Sequence, residues 1–407
     1  MVDGLNDFEG EAVDPGGPLA GVRVVDLTVW MAGSVASMLL ADLGADVVKV
    51  EPPRGDPTRA HVAPTAGAEP AGSGQSLSFT ACNRNKRSLV LDLKQAHNLE
   101  VMHQLLARAD VFVTNLAGPA LTRLGLDEAT VAERHPDLIH ARSAGLGTVG
   151  PRADDFAQDM TGMAYGGMLF TASGEPDEPF APPGSMNDVL TGTMVAFGVL
   201  AALAQRRRTG KAHAVSGSLL QTSLWSQMLL IGSAANTQGA STEGRPRRNP
   251  RNALLNQYRA ADGRWIAVAA INANAWLPFI NTLCLEPLLS DERFATFESA
   301  LQHSAELRVV LDEHFATKES DHWLDLLRSG GIWCGPVNQL TDVVVDEHVE
   351  AEGYLSTLSD GVRTVTMPFH LSGYTVPQVA GPALGADEER ILHDWDIVME
   401  SSNVQED

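Results

Sequence analysis

The sequence predicts an α/β protein with a doubly wound layer over residues 19–150, followed by a second, smaller domain. Three observations carry this reading. Short β-branched runs alternate with helical spacings along the first third of the chain. Strand, helix and strand fall within about 30 residues of one another, the βαβ unit of a parallel sheet. A hairpin pattern of a different kind appears only beyond residue 250.

Taken in order, residues 1–18 read as a solvated acidic arm closed by Pro15, Gly16, Gly17 and Pro18. GVRVVDLT (21–28) is a buried strand, SVASMLLADLG (34–44) a helix stopped at Gly44, and ADVVKVE (45–51) a second strand. The alternation continues with the strand RSLVLDL (87–93), the helix LEVMHQLLARA (99–109), the strand DVFVTN (110–115) and a strand within PDLIHARSAG (136–145). Residues 151–187 are rich in Gly, Pro, Ser and acidic residues, the composition of an active-site loop region. VLTGTMVAFGVLAALAQRRR (189–208) is an apolar helix with basic residues before Gly210, as the helix dipole favours, and 215–232 reads as another helix. The polar, basic STEGRPRRNPRN (241–252) reads as a linker, and YRAADGRWIAVAA (258–270) as a hairpin about Asp262-Gly263. Helical patterns with Trp276 and Trp323 lead to GGIWCGPV (330–337). The expected organisation is an arm at 1–18, a large domain at 19–213, a linker at 214–245 and a small domain at 246–340. Residues 341–407 then return to the large domain and end in a helix over 384–400.

Composition narrows the function. The chain is 44% apolar and 20% charged, an ordinary globular balance. Its 29 basic and 51 acidic residues leave a net charge of −22, which argues against nucleic acid as a partner. An anionic ligand would need a local basic pocket. The 3 cysteines, Cys82, Cys284 and Cys334, are too few and too scattered for a disulfide framework or a thiolate metal site. The acidic N-terminus lacks a signal-peptide pattern, and no run of about 18 apolar residues occurs. A cytoplasmic enzyme without membrane attachment is expected.

Several chemistries leave no trace. There is no phosphate-binding P-loop, no GxSxG and no HExxH, and TVWMAGS after the first strand has the single glycine Gly33, unlike a dinucleotide-binding turn. The 12 histidines never pair at i, i+4, and no metal site is expected. Two basic groups stand out. RNKRSLVLDLK (84–94) contains Arg84, Lys86, Arg87 and Lys94; Arg54 and Arg59 follow the second strand, and Arg123 follows TNLAGPALT. Loops at strand carboxyl ends converge on one crevice, so Lys94, Arg54 and Arg123 are candidates to gather around a polyanion. Spacing alone leaves open that they are solvated loop charges, and the acidic background tips the reading towards a pocket. Asp154, Asp155, Asp159 and Asp188 cluster in or beside the loop region. Asp188 leads a helix, where spacing alone favours a capping role, although a carboxylate can also be a covalent nucleophile towards an activated acyl group.

GVRVVDLTVWMAGSVASMLLADLGADVVKVEPPRGDPTR, NRNKRSLVLDLK and VTNLAGPALTRLG, with PDLIHARSAGLGTVGP, LTGTMVAFGVLAALAQRRRTGK, IWCGPV and PALGADEERIL, resemble the class III (CaiB/BaiF) CoA-transferase family. That family includes formyl-CoA and carnitine CoA-transferases and the 2-methylacyl-CoA racemases, and the likeness runs from about residue 19 to 392. It implies a Rossmann-like large domain built from both chain ends, a smaller α+β domain, and two ring-shaped chains interlocked as a homodimer. It implies CoA transfer between an acyl-CoA and a carboxylic acid, with acyl-CoA as substrate and no tightly bound cofactor. Asp188 in SMNDVLTG takes the place of the family's nucleophile, which forms a mixed anhydride and then an aspartyl-CoA thioester. Asp159 in FAQDMTGMAYGG matches a second acidic position, preceded in racemases by a histidine where this chain has Gln158. The CoA-binding positions implied are Trp30, Met31 and Ala32, then Leu91, Leu93 and Lys94, then Asn115, Leu116, Ala120 and Arg123, with Arg54 as a further phosphate partner. Two alternatives stand beside the transferase: a 2-methylacyl-CoA racemase or epimerase, and a noncatalytic subunit of a heteromeric transferase.

Overall fold

Six strands run parallel in one sheet: β1 (Arg23–Leu27), β2 (Asp46–Glu51), β3 (Arg87–Val90), β4 (Val111–Thr114), β5 (Ile139–Ala144) and β6 (Val215–Ser218), in the order β3-β2-β1-β4-β5-β6. That is the doubly wound order of a dinucleotide-type fold. The computed structural model describes residues 16–61, 76–153, 155–173, 178–237, 246–270 and 272–398. Most of the acidic arm and Asp154 therefore lie outside the described residues.

The strands are Val-rich because both faces of the sheet are covered, so every position benefits from an apolar side chain. Alternate residues serve opposite cores. Val24, Val47, Val111 and Val113 join Val35, Leu39 and Leu40 of the helix Ala32–Asp42 and Val195, Val199 and Leu203 of the helix Met186–Thr209. Val25, Val48, Val50 and Phe112 join Met102, Leu105 and Leu106 of the helix Ala96–Arg108 on the other face. Ile391 and Trp395 also lie in that second core, so the end of the chain packs on the sheet that its beginning forms. Its helix, Glu388–Asp394, is shorter than the 384–400 expected. Gly44, the predicted helix stop, has φ of 93°, and a Cβ there would collide with the Gly16 carbonyl.

One strand departs from expectation. Residues 215–232 form β6 followed by the helices Leu219–Ser226 and Met228–Asn236, rather than a single helix or a linker. VSGS lacks a β-branched run because an edge strand needs only one ladder, and β5 supplies it from Ala141 to Ala144. The helix Met186–Thr209 is long and apolar enough to cross a membrane by length and composition. In this fold one face of it, Val195, Ala196, Val199, Ala202 and Leu203, packs in the core shared with the helix Ala32–Asp42 and the sheet.

The chain divides into two compact units: the described parts of residues 1–168, 182–232 and 353–407, and those of 169–181 and 233–352. In the second unit β7 (Leu255–Arg259), β8 (Trp265–Ala269) and β9 (Trp333–Pro336) form an antiparallel sheet, and the expected hairpin turns at Gly263 with φ of 82°. Tyr258, Phe279, Leu307, Phe315 and Trp323 fill its separate core. A short hairpin, β10 (Leu355–Thr357) with β11 (Arg363–Val365), belongs to the first unit.

Candidate active site

Strand order reverses between β1 and β4, since the chain leaves β1 towards β2 on one side and β4 towards β5 on the other. Ligands of open α/β sheets bind outside the carboxyl ends of the strands at such a point. Here a cavity of about 460 Å³ opens, with Trp30, Met31 and Ala32 from the end of β1, Asn115 from the end of β4, and Asp159 and Asp188 on its wall. Asn115 ties the two strand ends together: its Oδ1 accepts from the Val29 N–H (2.9 Å) and its Nδ2 donates to the Val29 carbonyl (2.6 Å). Trp30 takes a left-handed φ of 59°, a costly conformation for a bulky residue that is held by this surrounding structure.

Beneath that turn lies a buried polar network. Asp26 accepts from the Thr28 N–H (3.0 Å), the Ser37 hydroxyl (2.7 Å) and the Lys86 ammonium (2.9 Å). Lys49 donates to the Thr28 carbonyl (3.0 Å) and pairs with Asp56 at 2.9 Å. Both lysines are fully buried, where a charge persists only if it is paired and hydrogen-bonded.

The two aspartates meet through their helices. Met186–Thr209 starts at Ser185, which has a left-handed backbone (φ 53°, ψ 38°) and makes no side-chain cap. Asp188, the third residue of that helix, is not its cap, contrary to the reading from spacing. Its own N–H is taken by the Asp159 carboxylate at 2.9 Å, so the orphan donor of the helix end is satisfied from another element. Asp159 opens the helix Asp159–Tyr165 within the expected loop region, where Gln158 caps by accepting from the Met160 N–H (3.3 Å). The two helices close because Gly162 has no side chain: a Cβ there would lie 2.6 Å from Leu219 Cβ and 3.1 Å from Asn187 Nδ2. Asn187 in turn donates to the Leu219 carbonyl at 3.0 Å. Burial, and then the Asp159 charge, push the Asp188 carboxyl from 3.8 up to about 7.

Most of the basic side chains singled out in the sequence are consumed by the scaffold. Arg84 pairs with Asp42 (2.6 Å), Lys86 with Asp26 (2.9 Å), Arg87 with Asp46 (2.5 Å) and Arg59 with Glu51 (2.7 Å). The 84–87 group is therefore structural and not an anion pocket. Arg54, Lys94 and Arg123 differ. They are exposed, follow β2, β3 and β4 on the carboxyl edge of the sheet, and have no side-chain partner among the described residues. They do not line the cavity. Leu91 is in the core at 2% exposure, Leu93 and Leu116 pack partly buried against the same core, and Ala120 is half-buried. Sequence reasoning missed His61 and Ser78, which also line the cavity. No motif marks them, and only the packing of the helix Leu77–Asn83 beside the turn after β2 brings them there.

The model of CoA-transferase family III matches residues 19–388. The chain belongs to this family. The (R)-2-hydroxy-4-methylpentanoate CoA-transferase of Clostridioides difficile is 31% identical over 393 residues, covering 92% of this chain and 97% of that protein. The acetyl-CoA:oxalate CoA-transferase of Acetobacter aceti is 30% identical over 379 residues, covering 92% and 94%. Among solved structures, a CAIB/BAIF family protein from Brucella suis superposes with a TM-score of 0.80 at 30% identity, covering 94% of this chain and 100% of that one. Rv3272 from M. tuberculosis, in its orthorhombic form, reaches 0.80 at 27% identity, covering 92% and 99%. The protein is thus a family III CoA-transferase, and the strand-end cavity is its candidate active site.

Proposed function

We propose that this family III enzyme moves CoA from an acyl-CoA thioester to a free carboxylic acid through covalent intermediates on Asp188. One observation carries the reading: Asp188 lies on the switch-point cavity with its backbone N–H occupied by Asp159 and its carboxyl raised to about 7. A more basic carboxylate is a better nucleophile once ionised. An Asp188 oxygen attacks the thioester carbonyl, the C–S bond breaks, and CoA thiolate leaves with the electron pair. The thiolate then attacks the aspartyl carbonyl of the mixed anhydride, which releases the first acid as its carboxylate and leaves an aspartyl-CoA thioester. The acceptor carboxylate attacks that thioester, thiolate departs again, and its attack on the acceptor's carbonyl frees the new acyl-CoA and restores Asp188. No proton is consumed.

Asp159 raises the basicity of Asp188 and holds its backbone. Gln158 cannot act as a base at neutral pH, so the position before Asp159 does not supply the acid–base partner that a racemase has there. CoA itself is a substrate, not a resident cofactor. Its phosphates are assigned to Arg54, Lys94 and Arg123, whose lack of a side-chain partner among the described residues supports that role. Its remaining contacts fall to Trp30, Met31, Ala32, Leu93, Asn115, Leu116 and Ala120, and to the backbone of Leu91. A homodimer is supported by exposed apolar side chains on the first unit, among them Phe197 (68% exposed), Trp225 (64%) and Leu229 (82%).

Acyl-CoA followed by hydroxylamine should convert Asp188 alone to its hydroxamate, read by peptide mass spectrometry. Asp188→Asn should abolish both labelling and transfer while retaining CoA binding. Full activity in that variant refutes the assignment. In deuterated solvent, 2-methylacyl-CoA should keep its Cα hydrogen throughout, because only the carboxyl carbon reacts. Deuterium uptake without an acceptor acid would establish racemisation instead.

A further inference from the structure

We propose that the Ser143 hydroxyl is an oxyanion donor of the transfer, hydrogen-bonding the acyl carbonyl oxygen as Asp188 attacks. This rests on the transferase reading above. Ser143 is the next-to-last residue of β5 and lines the cavity that contains Asp188. Side chains alternate between the two faces of a strand. Ile139 and Ala141 lie in the core with Val195 and Val199 of the helix Met186–Thr209, so Ser143 stands on the face which that helix covers. The helix leads into β6, parallel to β5, and so runs back along the sheet with its first turn at the carboxyl ends of the strands. Asp188 is in that turn. Gly145 closes the site from the other side. A Cβ there would lie 2.8 Å from the Ala157 Cβ, so its absence lets the segment that leads to Asp159 approach the end of β5.

The hydroxyl is buried and unused. Ser143 is 3% exposed, and its Oγ has no hydrogen-bond partner among the described residues. A buried hydroxyl left without a partner is unfavourable until something in the cavity accepts from it. The chemistry supplies such an acceptor. Each tetrahedral intermediate places negative charge on a carbonyl oxygen, here with two aspartates on the same cavity wall. No lysine or arginine is among the described lining residues, so neutral donors have to meet that charge. Several are already engaged: Asn115 with the Val29 backbone, Thr58 with Asp56, and Ser78 with His61. Ser185 and Gln158 are more open to water than Ser143, and a donor shielded from water acts more strongly on a developing charge. As an Asp188 oxygen bonds to the carbonyl carbon, the carbonyl π pair moves onto oxygen, which accepts from the Ser143 O–H. The proton stays on the serine. The pair returns to re-form the carbonyl as the C–S bond breaks and the thiolate leaves.

Ser143→Ala should lower kcat by about a hundredfold, the scale of one lost oxyanion donor, while CoA affinity in calorimetric titration stays within about twofold. Ser143→Thr keeps a hydroxyl and should recover part of the loss. The melting temperature of Ser143→Ala should match or exceed that of the wild type, because the deleted group has no partner in the free enzyme. A spectroscopic reading separates the donor from a packing role. Bound to Asp188→Asn, which leaves the thioester intact, acetyl-CoA labelled with ¹³C at its carbonyl should show an infrared carbonyl stretch below its position in water. Adding Ser143→Ala should move that stretch back up. Should Ser143→Ala fail to fold, Ser143→Gly and Ser143→Cys carry the same comparisons. A kcat within about threefold of the wild type, a loss confined to KM, or an unmoved carbonyl stretch overturns this proposal and leaves the transferase reading standing. Full transfer activity in Asp188→Asn overturns both.

Discussion

Replacing Asp188 by asparagine should stabilise the protein, and only above acidic pH. The wild-type carboxyl is raised from 3.8 to about 7, first by burial and then by Asp159. Its native form therefore holds a proton that the unfolded chain has already released, and stability falls as pH rises from about 4 to 7, then levels off. A rise of about three pK units corresponds to about 4 kcal/mol at neutral to alkaline pH. The positive end of the helix at Met186 favours the ionised form by up to about 1 kcal/mol, which leaves about 3 kcal/mol. Asparagine keeps the shape and cannot ionise, so Asp188→Asn should match the wild type near pH 4 and exceed it by about 3 kcal/mol at pH 8. For a unit of this size that is roughly 3–6 °C in melting temperature. Differential scanning calorimetry of both proteins across that pH range reads it directly. A melting difference that does not change with pH, or a variant less stable at pH 8, would refute the account of a carboxylate made costly by burial and by its neighbour.

Two further outcomes follow from the same geometry. With Asp188 as nucleophile, kcat/KM should rise with pH through about 7, and Asp159→Asn should move the midpoint lower without restoring the ordinary carboxylate value, since burial is the larger cause; an unmoved midpoint removes Asp159 from the account. Lys94→Ala and Arg123→Ala should each weaken CoA binding by about threefold to tenfold in calorimetric titration and reduce its salt dependence, as expected for exposed charge contacts with phosphates; unchanged affinity in both places the phosphates elsewhere.

Local composition by itself determined the doubly wound layer. Val24-Val25, Val47-Val48 and Val111-Phe112-Val113 read as strands because a sheet covered on both faces accepts apolar residues at every position. Gly44 read as a stop because φ of 93° admits no side chain, and Asp262-Gly263 read as a turn for a similar reason. The family was legible too, since its motifs run along the chain. Other features depend on partners far away in sequence. Lys86 and Lys94 look alike in NKRSLVLDLK, yet sheet order sets one against Asp26, 60 residues away, and leaves the other exposed. β6 gained its strand character from β5, not from its own VSGS. Asp188 looked like a cap until the approach of two helices across Gly162 brought Asp159 to its N–H, 29 residues distant in the chain. Short-range propensity acts through neighbours along the backbone, whereas the ionisation of Asp188 and the pairing of each lysine are decided by burial and charge, which exist only once the sheet and its helices have closed.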